Sequence, residues 1–256
     1  MELSPTHQQE LKGIIFDKDG TLFNYRLVWK DVLSATVSAV LSAMGKADTP
    51  QLHASFLTLL GITPTGVNPQ GLVFSHKRYK TFFKMFGFCI RHRINLFVVP
   101  AQYKKALRST QKQIVHTLET MDFTPQVALF TRLKSHGYRI GIITSDTAES
   151  CEVFLAHMGL MPLVDFVATR DHEMKRKPHP EAFQEFCRLM ELTPRQVAVV
   201  GDTDTDMLFA RRSKAGYRVA VLSGSNDAAK LSRFAHVVYP DIFSINDDAR
   251  FFPDNR

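Results

Sequence analysis

Short apolar runs recur along the chain, each ended by turn-forming or acidic residues, with stretches of helical apolar spacing between them. The runs are residues 13–16, 139–143, 165–168, 197–200, 217–222 and 236–239. Period-free apolar runs of this length suit strands buried on both faces. The intervening segments 147–158, 180–192, 205–214 and 227–234 place apolar residues three and four apart and predict helices. Strands alternating with helices imply an α/β architecture built on a doubly wound parallel sheet.

More than a hundred residues separate the first run from the second, too many for one crossover connection. The sequence therefore predicts an insertion over residues 25–122, interrupting a core made of 1–24 and 123–256. Within it, helices are expected at 27–44, 50–60 and 100–121. A further helix at 124–136 belongs to the core. The stretch GITPTGVNPQG, residues 61–71, is rich in turn formers and reads as a loop.

In open α/β sheets, ligands bind beyond the carboxyl ends of the strands, where the strand order reverses. The chain has polar clusters at such ends. The first run leads into Asp17, Lys18, Asp19, Gly20 and Thr21, the second into Thr144 and Ser145, and the fourth into GDTDTD, Gly201 to Asp206. Lys177, before Pro178 and Pro180, is placed near the start of a helix; Lys175 and Arg176 are rivals for its role. Residues two apart on an extended backbone point the same way, so Asp17 and Asp19 are expected to address one ligand. One carboxylate can attack phosphorus while the other moves the proton of the leaving oxygen. An anionic nucleophile facing an anionic substrate calls for a divalent cation, and Asp202 supplies a further hard ligand for Mg²⁺.

These residues resemble the haloacid dehalogenase superfamily, in particular its phosphoglycolate phosphatase-like branch. DxDGT is matched by Asp17 to Thr21, the strand-terminal Thr or Ser by Thr144, the Lys before Pro by Lys177, and GDxxxD by Gly201, Asp202 and Asp206. The resemblance implies a Rossmann-like core with an inserted helical cap. It implies Asp17 as nucleophile, Asp19 as acid/base, and Thr144, Ser145 and Lys177 as holders of the phosphoryl group. Mg²⁺ would be bound by Asp17, Asp202 and the backbone carbonyl of Asp19, with Asp206 close behind. Asp204 reads as a solvated helix-start residue. A carboxylic acid at Asp19 suits an alkoxide leaving group and disfavours carbon–halogen or phosphonate cleavage. The expected activity is a Mg²⁺-dependent phosphatase of small phosphorylated metabolites. A phosphomutase of the beta-phosphoglucomutase type, or a non-catalytic binding protein on the same fold, is the alternative.

Charge changes the picture of the insertion. The chain carries a formal net charge of +7, yet residues 49–118 contain no Asp or Glu and ten cations: Lys77, Arg78, Lys80, Lys84, Arg91, Arg93, Lys104, Lys105, Arg108 and Lys112. An anionic small-molecule substrate is the expected partner. Phe82, Phe83, Phe86 and Phe88 are expected to fill the insertion's own core, the alternative being a nucleic-acid or membrane surface bound through the interleaved aromatics and cations. The apolar stretch 82–99 is broken by Lys84, Arg91, His92 and Arg93, which argues against a membrane span. The N-terminus lacks the pattern of a signal peptide, and Cys89, Cys151 and Cys187 show no CxxC spacing, so a reducing cytoplasm is expected. His76, His92 and His116 have no spacing that supports zinc.

Overall fold

The structure is a computed structural model that describes residues 10–23, 25–63, 66–67, 71–72, 78–95, 99, 101–102, 105, 121–224 and 227–253. The chain forms two compact units, Met1–Asn24 with Asp122–Arg256, and Tyr25–Met121.

The first unit is built on a parallel sheet. Numbered along the chain, with β2 (Ile62–Thr63) and β3 (Gly66–Val67) in the second unit, its strands are β1 (Gly13–Phe16), β4 (Arg139–Ile143), β5 (Phe166–Ala168), β6 (Val197–Gly201), β7 (Tyr217–Val221) and β8 (Val237–Tyr239). They lie in the order β5-β4-β1-β6-β7-β8. From β1 the chain builds outward through β4 and β5, then returns to lay β6 against the other edge of β1. The strand order therefore reverses beside β1. Registers are aligned there, since Phe16 sits level with Ile142 on one side and Val200 on the other. The first residues past β1, β4 and β6 consequently emerge at one edge.

Both faces of β1 are buried, which is why its sequence is apolar without alternation. Ile15 joins Phe183, Phe186, Val197 and Val199 on one face. Phe16 stacks on Phe130 of the helix Thr124–Ser135 at 4.9 Å between ring centroids. A buried side chain of this size contributes about 1.5–3 kcal/mol relative to exposure, so the strand carrying the first carboxylates is firmly anchored.

The helices of this unit are shorter than their apolar spacing predicts. The one expected over 180–192 runs Glu181–Leu189, and the one over 227–234 is only Ala228–Leu231. That over 205–214 instead starts one residue early, at Asp204, because Thr203 caps it through the backbone N–H of Asp206 at 3.1 Å.

In the second unit, helices Tyr25–Ala43 and Pro50–Leu60 pack Leu33, Val37, Val40 and Leu41 against Phe56 and Leu60. Three expectations need correction or limits. The predicted loop over 61–71 contains an antiparallel pairing of Ile62–Thr63 with Gly66–Val67, where β-branched residues favour extended backbone. Arg78–Arg91 is a helix not anticipated from the sequence, whose apolar spacing is interrupted by Lys84 and Gly87. On that helix Phe88 packs with Phe56, centroids 5.0 Å apart, but Phe83 and Phe86 are 68% and 44% exposed and do not fill the core. The helix expected over 100–121 falls almost wholly outside the described residues, as do His76, His116, Lys77, Lys104, Arg108 and Lys112. The same holds for the side chains of Arg78, Lys80 and Phe82. No helix among the described residues is long and apolar enough to cross a membrane.

Candidate active site

Asp17 is the first residue past β1. Its N–H donates to Val200 O at 2.9 Å, which ties it to the end of β6. Asp202 leaves β6 one residue after Gly201, and Asp206 lies in the first turn of the helix that follows. Carboxylate oxygens from Asp17, Asp202 and Asp206 lie within 4.8 Å of one another. Asp206 is held there by its cap, since its Oδ2 accepts from Thr203 N at 3.1 Å and from the Thr203 hydroxyl. That leaves Oδ1 for the site.

Lys177 reaches into this cluster. Its Nζ lies 2.5 Å from Asp17 Oδ1 and 2.6 Å from Asp206 Oδ1, with a side chain only 6% exposed. Of the three neighbouring cations, Lys177 is the one that meets the carboxylates, while Lys175 and Arg176 are exposed. Burial alone would lower the Lys177 pKa, but Asp17 and Asp206 outweigh it and raise the value. For Asp17 the balance reverses: burial and the nearby Asp206 overcome Lys177 and push it up to about 7. Asp202 is also held well above the ordinary carboxylate value, by burial and then by Asp17 and Asp206. Three crowded carboxylates with one ammonium are short of positive charge. Hard oxygen donors in that deficit fit a divalent cation.

Asp17 and Asp19 meet different lysines. The chain turns directly after the strand, with Thr21 N and Leu22 N both donating to Lys18 O, at 3.3 and 3.0 Å, and Gly20 at φ 86°. Glycine takes that left-handed conformation without strain. Asp19 consequently faces Lys18, whose Nζ is 2.7 Å from its Oδ1. Its side chain is 39% exposed, against 11% for Asp17 and 3% for Asp206. Burial raises its pKa against the opposing pull of Lys18.

Thr144 is the first residue past β4 and is 6% exposed. Its N–H donates to Ala168 O at 2.9 Å, and its hydroxyl oxygen accepts from Asp146 N at 3.1 Å, which leaves the hydroxyl proton to donate. Ser145 follows it and is exposed. Asp204 is half exposed and pairs with Lys230 at 2.7 Å, away from the cluster.

Several residues here carry no motif signal. Lys18 and Asp146 pair at 3.0 Å. Ser223 donates to Gly20 O at 2.6 Å, bracing the turn. A Cβ at Gly224 would lie 2.0 Å from Asp202 Oδ2 and 2.6 Å from Gly20 Cα, so only glycine fits between them. Each acts across the sheet edge, where local sequence gives no warning.

A parallel sheet with acidic residues past its central strand and a lysine from a later loop defines a class of α/β hydrolase. The chain belongs to the haloacid dehalogenase-like hydrolases, whose family pattern it matches over residues 11–214. Over 121 residues it is 30% identical to pyrophosphatase PpaX of Bacillus cereus, covering 47% of this chain and 53% of that protein. The chain thus spans about half the length of the curated relatives it matches. Among solved structures it resembles a Thermotoga maritima protein assigned as a beta-phosphoglucomutase, with TM-score 0.66 and 16% identity over 92% of this chain and 96% of that one. It also resembles a Haemophilus somnus protein assigned as a phosphoglycolate phosphatase, with TM-score 0.64 and 18% identity over 93% and 98%. At these identities the two structures speak for the fold.

Proposed function

We propose that the protein is a metal-assisted phosphatase that hydrolyses small anionic phosphate esters through an aspartyl-phosphate intermediate. The observation that carries the reading is the single ammonium of Lys177 bridging Asp17 and Asp206 beside the buried Asp202. Such a site is short of positive charge and places a carboxylate oxygen at the strand edge where ligands bind.

In this reading a carboxylate oxygen of Asp17 attacks phosphorus, and the ester P–O bond breaks with its electron pair on the leaving oxygen. That oxygen takes the proton of Asp19. Asp19 then accepts a proton from water, whose oxygen attacks phosphorus, releasing inorganic phosphate and restoring Asp17. Thr144, Ser145 and Lys177 hold the phosphoryl oxygens. Asp17, Asp202 and the Asp19 carbonyl, supported by Asp206, would hold Mg²⁺, which supplies charge neutralisation between nucleophile and substrate.

The likeness to a pyrophosphatase makes inorganic pyrophosphate a candidate substrate beside phosphomonoesters. Phosphomutase activity is the competing reading, in which a second hydroxyl takes the place of water in accepting the phosphoryl group from Asp17. The exposed cations Lys84, Arg91 and Arg93 suit attraction of either anion. Buried free thiols at Cys89, Cys151 and Cys187 suit a reducing cytoplasm.

The test is phosphate release across pyrophosphate, glycerol 2-phosphate, phosphoglycolate and sugar phosphates, with and without Mg²⁺. Acid quench with radiolabelled substrate should leave hydroxylamine-labile label on the wild type and none on Asp17→Asn, which should be inactive. Turnover by Asp17→Asn would end the covalent reading, and isomerised product without net phosphate release would favour the mutase.

A further inference from the structure

Lys18 is fully buried, and the chemistry above does not use it. Its Nζ lies 2.7 Å from Asp19 Oδ1 and 3.0 Å from Asp146 Oδ2, and 4.0 Å above the centroid of the Phe154 ring. Phe154 in turn stacks on Phe23 at 5.1 Å. The ammonium is therefore walled by aromatic rings and bridges two carboxylates from different strand ends. Removing a lysine head from water costs several kcal/mol, and a well-packed apolar side chain in such a place is often as stable or more so. Stability alone gives no reason for a lysine there. Its geometry gives one.

We propose that Lys18, anchored by Asp146, is a positioning residue that fixes the Asp19 carboxylate for proton transfer. The inference rests on the reading of Asp19 as the acid/base. Lys18 engages Oδ1 of Asp19, and Oδ2 has no hydrogen-bond partner among the described residues, so one oxygen is held while the other stays available. Asp146 is itself fixed: its Oδ1 accepts from Thr147 N at 2.8 Å, and its own N–H donates to Thr144 Oγ1 at 3.1 Å. The pair thereby links the proton-transfer group past β1 to the phosphate-holding hydroxyl past β4. Without Lys18, Asp19 is free to swing, and proton transfer loses the alignment it depends on.

The experiment is a double-mutant cycle of Lys18→Met and Asp19→Asn, read as kcat for glycerol 2-phosphate and p-nitrophenyl phosphate with saturating Mg²⁺. Asp19→Asn should cost about 10²- to 10⁴-fold on glycerol 2-phosphate. Lys18→Met should cost about tenfold or more on glycerol 2-phosphate and less on p-nitrophenyl phosphate, whose leaving group needs little protonation. In the Asp19→Asn background it should cost under about threefold, because groups acting as a unit are not additive.

Independent, multiplicative losses, or equal losses on both substrates, would overturn the clamp. If Asp19→Asn were itself harmless, the acid/base reading would fall first and take the clamp with it. Near-UV circular dichroism controls the fold. Should Lys18→Met not fold, Asp146→Asn, at a side chain 25% exposed, runs the same cycle and should show a weaker loss with the same substrate preference.

Discussion

Gly224→Ala is a substitution of one methyl group, at a residue with no place in any motif, and it should disable the site. In the structure the new Cβ would stand 2.0 Å from Asp202 Oδ2, 2.6 Å from Asp202 Cγ and 2.6 Å from Gly20 Cα. Non-bonded carbons rest about 3.5–4.0 Å apart, so relief requires movement of about 1 Å. Backbone confines the methyl on the Gly20 side, where Ser223 Oγ holds Gly20 O at 2.6 Å. The Asp202 carboxylate is the more movable party, restrained on its Oδ1 by Thr21 Oγ1 at 3.3 Å. A misplacement of about 1 Å at a catalytic centre costs on the order of 10²-fold in rate. The loss should appear as lower kcat together with a higher Mg²⁺ concentration for half-maximal activity, because Asp202 is the group displaced.

Overpacking also destabilises, by about 1–3 kcal/mol, or roughly 2–12 °C in Tm for a unit of this size. Assays well below the transition separate the two effects. Phosphate release from p-nitrophenyl phosphate, titrated with Mg²⁺, gives both constants. If Gly224→Ala kept wild-type kcat and the wild-type Mg²⁺ midpoint while remaining folded, Asp202 would not be the metal-holding group that its crowding suggests.

Two further outcomes follow from charge. In the metal-free protein Asp17 sits at about 7 against an ordinary 3.8, so the folded state binds more protons than the unfolded one between those values. Its contribution to stability is full below about 4 and is lost as pH rises through about 7, at no more than about 1.4 kcal/mol per pH unit. Tm measured in EDTA should fall across that window, and Mg²⁺ should flatten the curve and raise Tm most near pH 8; a rising curve in EDTA would contradict the reversal at Asp17. Neutralising exposed Lys84, Arg91 and Arg93 together should lower kcat/KM at low ionic strength and have little effect at about 0.15 M, where the Debye length is about 8 Å. An unchanged salt dependence would make these charges a solvated face only.

What the sequence made legible was whatever depends on where a buried strand stops. Asp17, Thr144 and Asp202 each follow an apolar run, and parallel pairing in register carries all three to one edge with no further information needed. Lys177 needed more, since Lys175 and Arg176 differ from it only in where a loop without regular structure turns. The Asp17/Asp19 pair shows the limit most plainly. Their spacing places both just past one strand but does not say which lysine each meets, which is settled by the end of the strand at Phe16 and the turn through Gly20. The helix Arg78–Arg91 was hidden for another reason: with Phe83 and Ile90 68% and 63% exposed, its apolar residues do not mark a single buried face.

The two lysines explain how adjacent carboxylates come to differ. Lys177 bridges Asp17 and Asp206; Lys18 bridges Asp19 and Asp146. Each ammonium faces two carboxylates, which accounts for four of the five acids at this edge. Asp202 is the fifth, and no lysine or arginine lies within ion-pair distance of it among the described residues. It has the Thr21 hydroxyl at 3.3 Å instead, and it is 2% exposed. Water cannot solvate its charge, and a hydroxyl compensates only part of the loss. Asp202 must therefore take up a proton or a cation. A proton would neutralise Asp202 alone and leave an anionic phosphate beside Asp17 without matching positive charge. In the proposed reading Asp17 and Asp202 would hold a divalent cation that supplies the missing charge, and Lys177 would then be able to turn one N–H from Asp17 toward the substrate. The position of the uncompensated acid beside Asp17 thus supports the proposed division, in which Asp17 and Asp202 would meet the metal and Asp19 would move protons.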